Sequence, residues 1–152
     1  MRPIFALAAL VPAASAMLVA CQPQNADVYV DKSWVRLNAV AGQPAAAYFR
    51  LIGGKSADTM FAIHADQAIK IELHETMVGM NGMSGMKPLD SVKVPARSKV
   101  LFQPGGMHAM IFGLDSNVQP GSTMTLTFVF KSGLRLQDNA IVVGAGDPAP
   151  KL

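Results

Sequence analysis

The chain has 152 residues, a formal net charge of +3 and a single cysteine. This charge is too small to indicate a nucleic-acid-binding protein, and one cysteine excludes a disulfide within the chain. The length is sufficient for one domain with a hydrophobic core. We therefore expect a single small domain.

The first twenty residues are apolar and carry one charge, at Arg2. This segment is too short to span a bilayer and is typical of a secretory signal. Two cleavage sites are possible. The sequence Ala-Ser-Ala at 14–16 fits ordinary cleavage after Ala16, whereas Leu-Val-Ala-Cys at 18–21 is similar to a bacterial lipobox that leaves Cys21 as a lipidated first residue.

The reactivity of a single cysteine outside the cytoplasm favours the second cleavage site. An unpaired thiol would be a liability in an oxidising compartment, so we predict a signal peptide at 1–20 and a lipidated Cys21 with a tether at 21–26. Gln22 stands where inner-membrane lipoproteins of Gram-negative bacteria have aspartate. By resemblance to those lipoproteins, the absence of the aspartate favours a periplasmic protein that is anchored to the outer membrane rather than to the inner one.

The rest of the chain predicts β-structure. Short segments of alternating apolar and polar residues are separated by Gly, Pro, Asn and Asp, and no amphipathic helix is evident. We predict one all-β domain at 27–144, a β-sandwich or Greek-key barrel, followed by a flexible tail at 145–152. The predicted strands are 27–30, 33–37, 46–52, 59–64, 68–74, 91–94, 99–103, 108–112, 123–130 and 135–143.

Soft metal ligands are concentrated in one quarter of the chain. Thioethers are soft, neutral ligands that suit monovalent copper, and imidazole binds copper in either oxidation state. The cluster therefore indicates a copper-binding domain. Six of the ten methionines and two of the three histidines lie in it: His74, Met77, Met80, Met83, Met86, Met107, His108 and Met110.

Strand alternation predicts where several of these ligands point. His74 ends a predicted strand. Its side chain lies on the polar face together with Glu72, whereas Leu73 lies on the other, apolar face. His108 and Met110 are two residues apart on another strand, so they share a face with Cα atoms about 7 Å apart. The alternatives are a solvated His74 and a Met110 that packs in the core.

The methionines between these strands recur every third residue from Met77 to Met86. Gly79, Gly82 and Gly85 disfavour a helix there, so we predict a flexible loop that carries thioethers. The alternative function for such a loop is an adaptable hydrophobic contact surface.

The order of the ligands resembles that of the PCuAC family of periplasmic copper chaperones. In that family a histidine and a methionine are followed, after twenty-one residues, by His-x-Met. Met86, His108 and Met110 match this spacing, and the segments around His74 and 104–108 are also similar. Eleven residues separate His74 from Met86 where the family has ten, which we interpret as one insertion in the glycine-rich loop. Met83 is the alternative ligand.

The resemblance covers nearly the whole mature domain and implies a cupredoxin-like or immunoglobulin-like Greek-key β-sandwich. It also implies a copper(I) site formed by His74, Met86, His108 and Met110. This set is neutral and soft, and it lacks the thiolate of a blue-copper centre. Possible auxiliary ligands are Met77, Met80 and Met83.

As a family property, the resemblance implies a chaperone that passes copper(I) by ligand exchange. The acceptor would be the CuA site of cytochrome c oxidase subunit II or another chaperone. Two other functions fit the residues: a copper-sequestering lipoprotein with no delivery role, and a metal-independent lipoprotein that binds a protein partner. No nucleophile with a general base and no phosphate-binding loop is evident, so we do not expect an enzyme.

Overall fold

The computed structural model describes residues 28–78 and 84–152. These residues form ten β-strands and no helix, so this part of the chain has no helix able to cross a membrane. The predicted signal peptide, Cys21 and the tether lie outside the described residues. The strands are β1 Tyr29–Arg36, β2 Ala45–Ile52, β3 Asp58–His64, β4 Lys70–Val78, β5 Ser84–Leu89, β6 Val92–Val94, β7 Lys99–Phe102, β8 Met107–Phe112, β9 Thr123–Phe130 and β10 Arg135–Val143.

All ten strands belong to one sheet with the order β5-β4-β8-β7-β2-β1-β10-β9-β3-β6. β2 pairs with β8 through its first residues and with β7 through its last ones. β1 and β10, the first and last strands in the sequence, are neighbours in the sheet and pair in parallel. This non-sequential order is that of a Greek-key arrangement, and the all-β prediction is confirmed.

The core lies between the inner faces of the folded sheet. The strand that the sequence identifies most clearly, β9, directs Met124, Leu126, Phe128 and Phe130 into it, and all four are buried. The ring of Phe49 stacks on Phe102 and meets Phe128 edge-on, with centroids 4.1 and 4.8 Å apart. Alternation therefore predicted the inner face of this strand correctly.

Two predicted boundaries are wrong. The segments 27–30 and 33–37 form one strand, β1, whose register shifts between Asp31 and Trp34. Lys32 adopts a positive φ of 57° at this shift. A bulge of this kind interrupts the period-two pattern without ending the strand, and so the sequence pattern indicated two strands.

The second correction concerns the segment predicted as a flexible loop. β4 continues to Val78, and β5 pairs with it in an antiparallel hairpin from Leu73↔Leu89 to Val78↔Ser84. β5 is an edge strand, and such a strand needs backbone partners on one side only, which lets it contain Gly85 and Pro88. His74 consequently lies in the middle of a strand and not at its end.

The C-terminal residues contact the domain. Arg36 Nη1 donates a hydrogen bond to the Ala145 carbonyl at 3.1 Å, and Lys32 Nζ donates one to the Leu152 carbonyl at 2.7 Å. Near the start of the segment, the Gly144 amide donates to Asp147 Oδ2 at 2.7 Å. The flexibility of 145–152 and the domain boundaries stay predictions.

Two carboxylates of the fold are more acidic than usual. A hydrogen-bonded ion pair with Arg50, whose Nε donates to Oδ1 at 2.7 Å, holds the pKa of Asp31 below its ordinary value of 3.8. Burial by itself would raise the pKa of Asp58. Hydrogen bonds from Ser132 and from the Thr59 amide outweigh burial, so the pKa of Asp58 is also lowered.

These carboxylates should make the fold sensitive to acid. Below their ordinary pKa the unfolded chain binds protons that the folded chain does not bind. Their contribution to stability is therefore complete above about pH 5 and is lost as the pH falls through the lowered values. In urea unfolding at pH 7 and pH 3, the double variant D31N/D58N should lose less stability between the two pH values than the wild type, by on the order of 1 kcal/mol. An equal loss in both proteins would contradict this prediction.

Candidate metal centre

The pairing of β4 with β8 brings two of the predicted ligands side by side. His74 lies directly opposite His108, and their rings are 6.0 Å apart at the centroids and inclined by 24°. Leu73 and Ala109, the adjacent pair in this register, are buried in the core. The two histidines therefore lie on the outer face of the sheet, as alternation predicts for His74.

A turn before β8 orients His108. Gly105 has a φ of 79°, which favours glycine, and the Gly106 amide bonds back to the Gln103 carbonyl at 3.0 Å. The Gly106 carbonyl accepts hydrogen bonds from the Thr76 amide and from His108 Nδ1, both at 3.1 Å. Because a carbonyl only accepts, Nδ1 carries the proton and Nε2 keeps a free lone pair.

His74 has the complementary arrangement. Its Nε2 lies 3.2 Å from Glu72 Oε2, so the ring donates from Nε2 to the carboxylate. Its Nδ1 is buried and has no hydrogen-bond partner among residues 28–78 and 84–152. A buried acceptor without a partner costs about 1–3 kcal/mol. This nitrogen is therefore suited to bind a metal ion, because metal-binding histidines usually donate their other N–H to a carboxylate or a carbonyl.

Met110 completes a group of three predicted ligands. It lies opposite Glu72 on one side and opposite Ala46 on the other, and it is two residues from His108 on the same face. This face is the outer one, so Met110 does not belong to the core that Ile111 and Ala109 help to form. The structure thus separates Met110 from the core, which was the alternative for this residue.

Met86 shares this face but is displaced along it. It lies opposite Thr76 on β5, and its side chain is 62% exposed. Ideal sheet spacings place its Cα about 8 Å from that of His74 and farther from that of Met110. The described arrangement therefore brings together His74, His108 and Met110, with Met86 on the far side of His74.

Two other methionines of the cluster, Met77 and Met107, are not part of this group. Met77 lies on the opposite face of β4, where it is 53% exposed, and Met107 packs against the core. Met80 and Met83 lie outside the described residues. Met83 as the alternative ligand therefore stays a prediction. Within 28–78 and 84–152, no three His, Cys, Asp or Glu residues are grouped to hold a metal ion. A site here would combine imidazoles with thioethers.

Two nearby residues were not assigned a role from the sequence. Glu72 could have been found, because alternation already places it on the face of His74. Tyr48 could not, since its position depends on strand pairing: one step beyond Ala47↔Ala109 places it beside His108. Tyr48 also packs on Trp34 with centroids 4.4 Å apart, and burial raises the pKa of its phenol. His108 is only 6% exposed although it lies on the outer face of the sheet.

Comparison with known proteins identifies the family. Residues 28–142 match a family model described as "Putative lipoprotein LpqE-like". A protein of Leifsonia xyli subsp. xyli that is also named as a lipoprotein is 32% identical over 109 residues. That match covers 70% of this chain and 63% of the relative, so the chain spans less than two thirds of the relative's length.

Solved structures of PCuAC domains have the same fold. The copper-bound PCuAC domain from PmoF2 is 17% identical with a TM-score of 0.64, and the match covers 78% of this chain and 93% of that domain. Apo-DR1885 from Deinococcus radiodurans is 25% identical with a TM-score of 0.59 and coverage of 97% of both chains. The CuI form of DR1885 is also 25% identical, over 87% of this chain and 86% of that one. The predicted cupredoxin-like sandwich and the PCuAC resemblance are thereby confirmed, and the chain belongs to the LpqE-like family and carries a PCuAC-type domain.

Proposed function

We propose that this domain binds copper(I) through His74, His108 and Met110, with Met86 as a fourth, exchangeable ligand. The observation that carries the proposal is the state of the two histidines. Each donates one N–H to a fixed acceptor and keeps its other nitrogen free, and Met110 shares their face. The copper named in the structures of PmoF2 and DR1885 supports copper as the bound ion.

The ligand set favours the monovalent ion. Two neutral imidazoles and thioethers are soft and add no charge, which suits copper(I) better than copper(II) or zinc. Two metal–nitrogen bonds of about 2 Å each, together with the size of the rings, match imidazole centroids that are 6.0 Å apart. Met86 lies on the edge strand, on the same face as His74, and its thioether is exposed, so an incoming ligand can replace it.

This arrangement supports a chaperone that passes copper by ligand exchange. Acceptor ligands would displace Met86 first, while His74, His108 and Met110 still hold the ion. We propose the CuA site of cytochrome c oxidase subunit II, or another chaperone, as the acceptor. The domain would act by binding and release, without catalysing a reaction.

We also propose that the protein works outside the cytoplasm on a lipid anchor. The lipobox-like segment that ends at Cys21 supports this location, and so do the lipoprotein names of the family and of the Leifsonia relative. Gln22 favours the outer membrane. Metabolic labelling with a fatty acid, in the wild type and in C21S, tests the anchor, because only the wild type should incorporate the label.

Methionine-to-leucine variants test the ligand assignment, since leucine has a similar volume and little effect on folding. In an anaerobic copper(I) titration against a competing chelator, M110L should weaken binding by about 10–100-fold. M86L should weaken it less, and should speed transfer to a copper-free CuA domain because the acceptor no longer has to displace Met86. M77L is the matched control, because Met77 is an exposed methionine of the same hairpin on the opposite face.

X-ray absorption of the copper-loaded domain should show both nitrogen and sulfur ligands. Equal affinities for M110L, M77L and the wild type would refute the assignment of Met110. Tight binding by the wild type, with transfer that M86L leaves unchanged, would argue against Met86 as the exchangeable ligand. It would then favour a domain that stores copper.

A further inference from the structure

We infer that Glu72 is a positioning residue that determines which nitrogen of His74 binds the metal ion. This inference rests on the proposed copper site and adds to it a residue that lies outside the ligand set. The carboxylate lies on the ligand face of β4, two residues before His74 and directly opposite Met110 on β8. It is therefore next to two of the three grouped ligands.

The carboxylate is held at both of its oxygens. Lys70 Nζ lies 2.7 Å from Oε1, and His74 Nε2 lies 3.2 Å from Oε2. Lys70, Glu72 and His74 alternate along one strand, so all three lie on the same face. The ion pair with Lys70 restrains rotation of the carboxylate and keeps the second oxygen available to the imidazole.

This contact selects one tautomer of His74. A carboxylate only accepts hydrogen bonds, so Nε2 must carry the proton and Nδ1 must carry the lone pair. His108 has the opposite tautomer, because its Nδ1 donates to the Gly106 carbonyl. The site therefore combines Nδ1 of one histidine with Nε2 of the other. Without Glu72, the ring of His74 would be free to present either nitrogen.

Glu72 also affects the charge of the site. The ligands are neutral, so copper(I) brings one positive charge to a partly buried position. The carboxylate beside His74 offsets this charge without bonding to the ion. Glu75 provides a matched control, since it is the next carboxylate on the same strand but is exposed on the opposite face.

The first test uses the metal-free protein. Nitrogen-15 NMR at neutral pH should show His74 protonated at Nε2 in the wild type and in E75A. In E72A it should show a mixture of the two tautomers. E72Q keeps a carbonyl oxygen as acceptor and should retain most of the wild-type tautomer. A wild-type His74 protonated at Nδ1, or an unchanged tautomer in E72A, would overturn the inference.

The second test is copper(I) affinity of the same proteins under anaerobic conditions. E72A should bind about 10–100-fold more weakly than the wild type, with E72Q between them and E75A unchanged. If the wild type binds copper and E72A binds equally well, the positioning role is refuted although the proposed function stands. If no variant or wild type binds copper, the proposed function fails, while the tautomer measurement still decides whether Glu72 orients His74. Equal effects of E72Q and E72A in both tests would overturn the hydrogen-bond role.

Discussion

Replacing His108 by alanine is expected to lower the copper(I) affinity at least about 100-fold. Removing a hydrogen-bonding partner of a ligand already costs 10–100-fold, and here an entire ligand is lost. His108 is central to the group, because His74 lies beside it and Met110 lies two residues along the same strand. The measurement is the anaerobic titration against a competing chelator.

The matched control for this variant is H64A. His64 is the remaining histidine of the chain, and it ends β3 with an exposed side chain. Its replacement should leave the affinity unchanged. Because His108 is buried, alanine also removes packing, so H108Q should be measured beside it as a variant of similar size. Wild-type affinity in both H108A and H108Q, with intact folding by circular dichroism, would show that the site is assigned wrongly.

The second large effect is that of replacing His74 on the free energy of unfolding. We expect this effect to have opposite signs in the metal-free and the copper-bound protein. In the metal-free protein, Nδ1 of His74 is buried without a hydrogen-bond partner among the described residues. Phenylalanine keeps the ring shape but has no polar atom, so H74F removes this unsatisfied group. We expect the free energy of unfolding of metal-free H74F to rise by about 1 kcal/mol. The lost bond to Glu72 matters less, since that carboxylate is partly exposed and regains water.

With copper(I) bound, the wild type should be more stable than H74F. A ligand that binds only the folded state stabilises it by about 4 kcal/mol when its free concentration is 1,000 times the dissociation constant. The wild type should gain this amount, while H74F should gain much less because a ligand is missing. Urea unfolding with and without copper(I) measures all four values. A metal-free H74F that is less stable than the wild type would show that Nδ1 of His74 is satisfied in the native protein.

Much of the fold follows from local patterns in the sequence. Period-two alternation assigns Met124, Leu126, Phe128 and Phe130 to one face of a strand, and hydrophobic burial makes that face the core. The same rule places His74 and Leu73 on different faces of their strand, and it places His108 and Met110 on a common face. The spacing of these ligands suggested the PCuAC resemblance, which the comparisons confirm. The ligand roles themselves, Cys21 and the signal peptide stay predictions.

Other features were not accessible to local reasoning. The pattern from Met77 to Met86 predicted a flexible loop because its three glycines disfavour a helix. Pairing with β4 nevertheless makes 84–89 an edge strand, since backbone hydrogen bonds to a neighbour outweigh weak local propensity. The same pairing sets Met86 opposite Thr76, about 8 Å from His74. The even spacing of the methionines did not reveal this offset.

The sequence by itself determined the all-β class, the inner face of each clear strand and the group of candidate copper ligands. Only the tertiary structure decided which of these residues are neighbours. Alternation depends on each chain segment alone, whereas His74 meets His108 through the register between two strands that are distant in sequence. That register also gives each imidazole its hydrogen-bond acceptor. The free nitrogens that make the site suitable for a metal ion are therefore a property of the folded sheet.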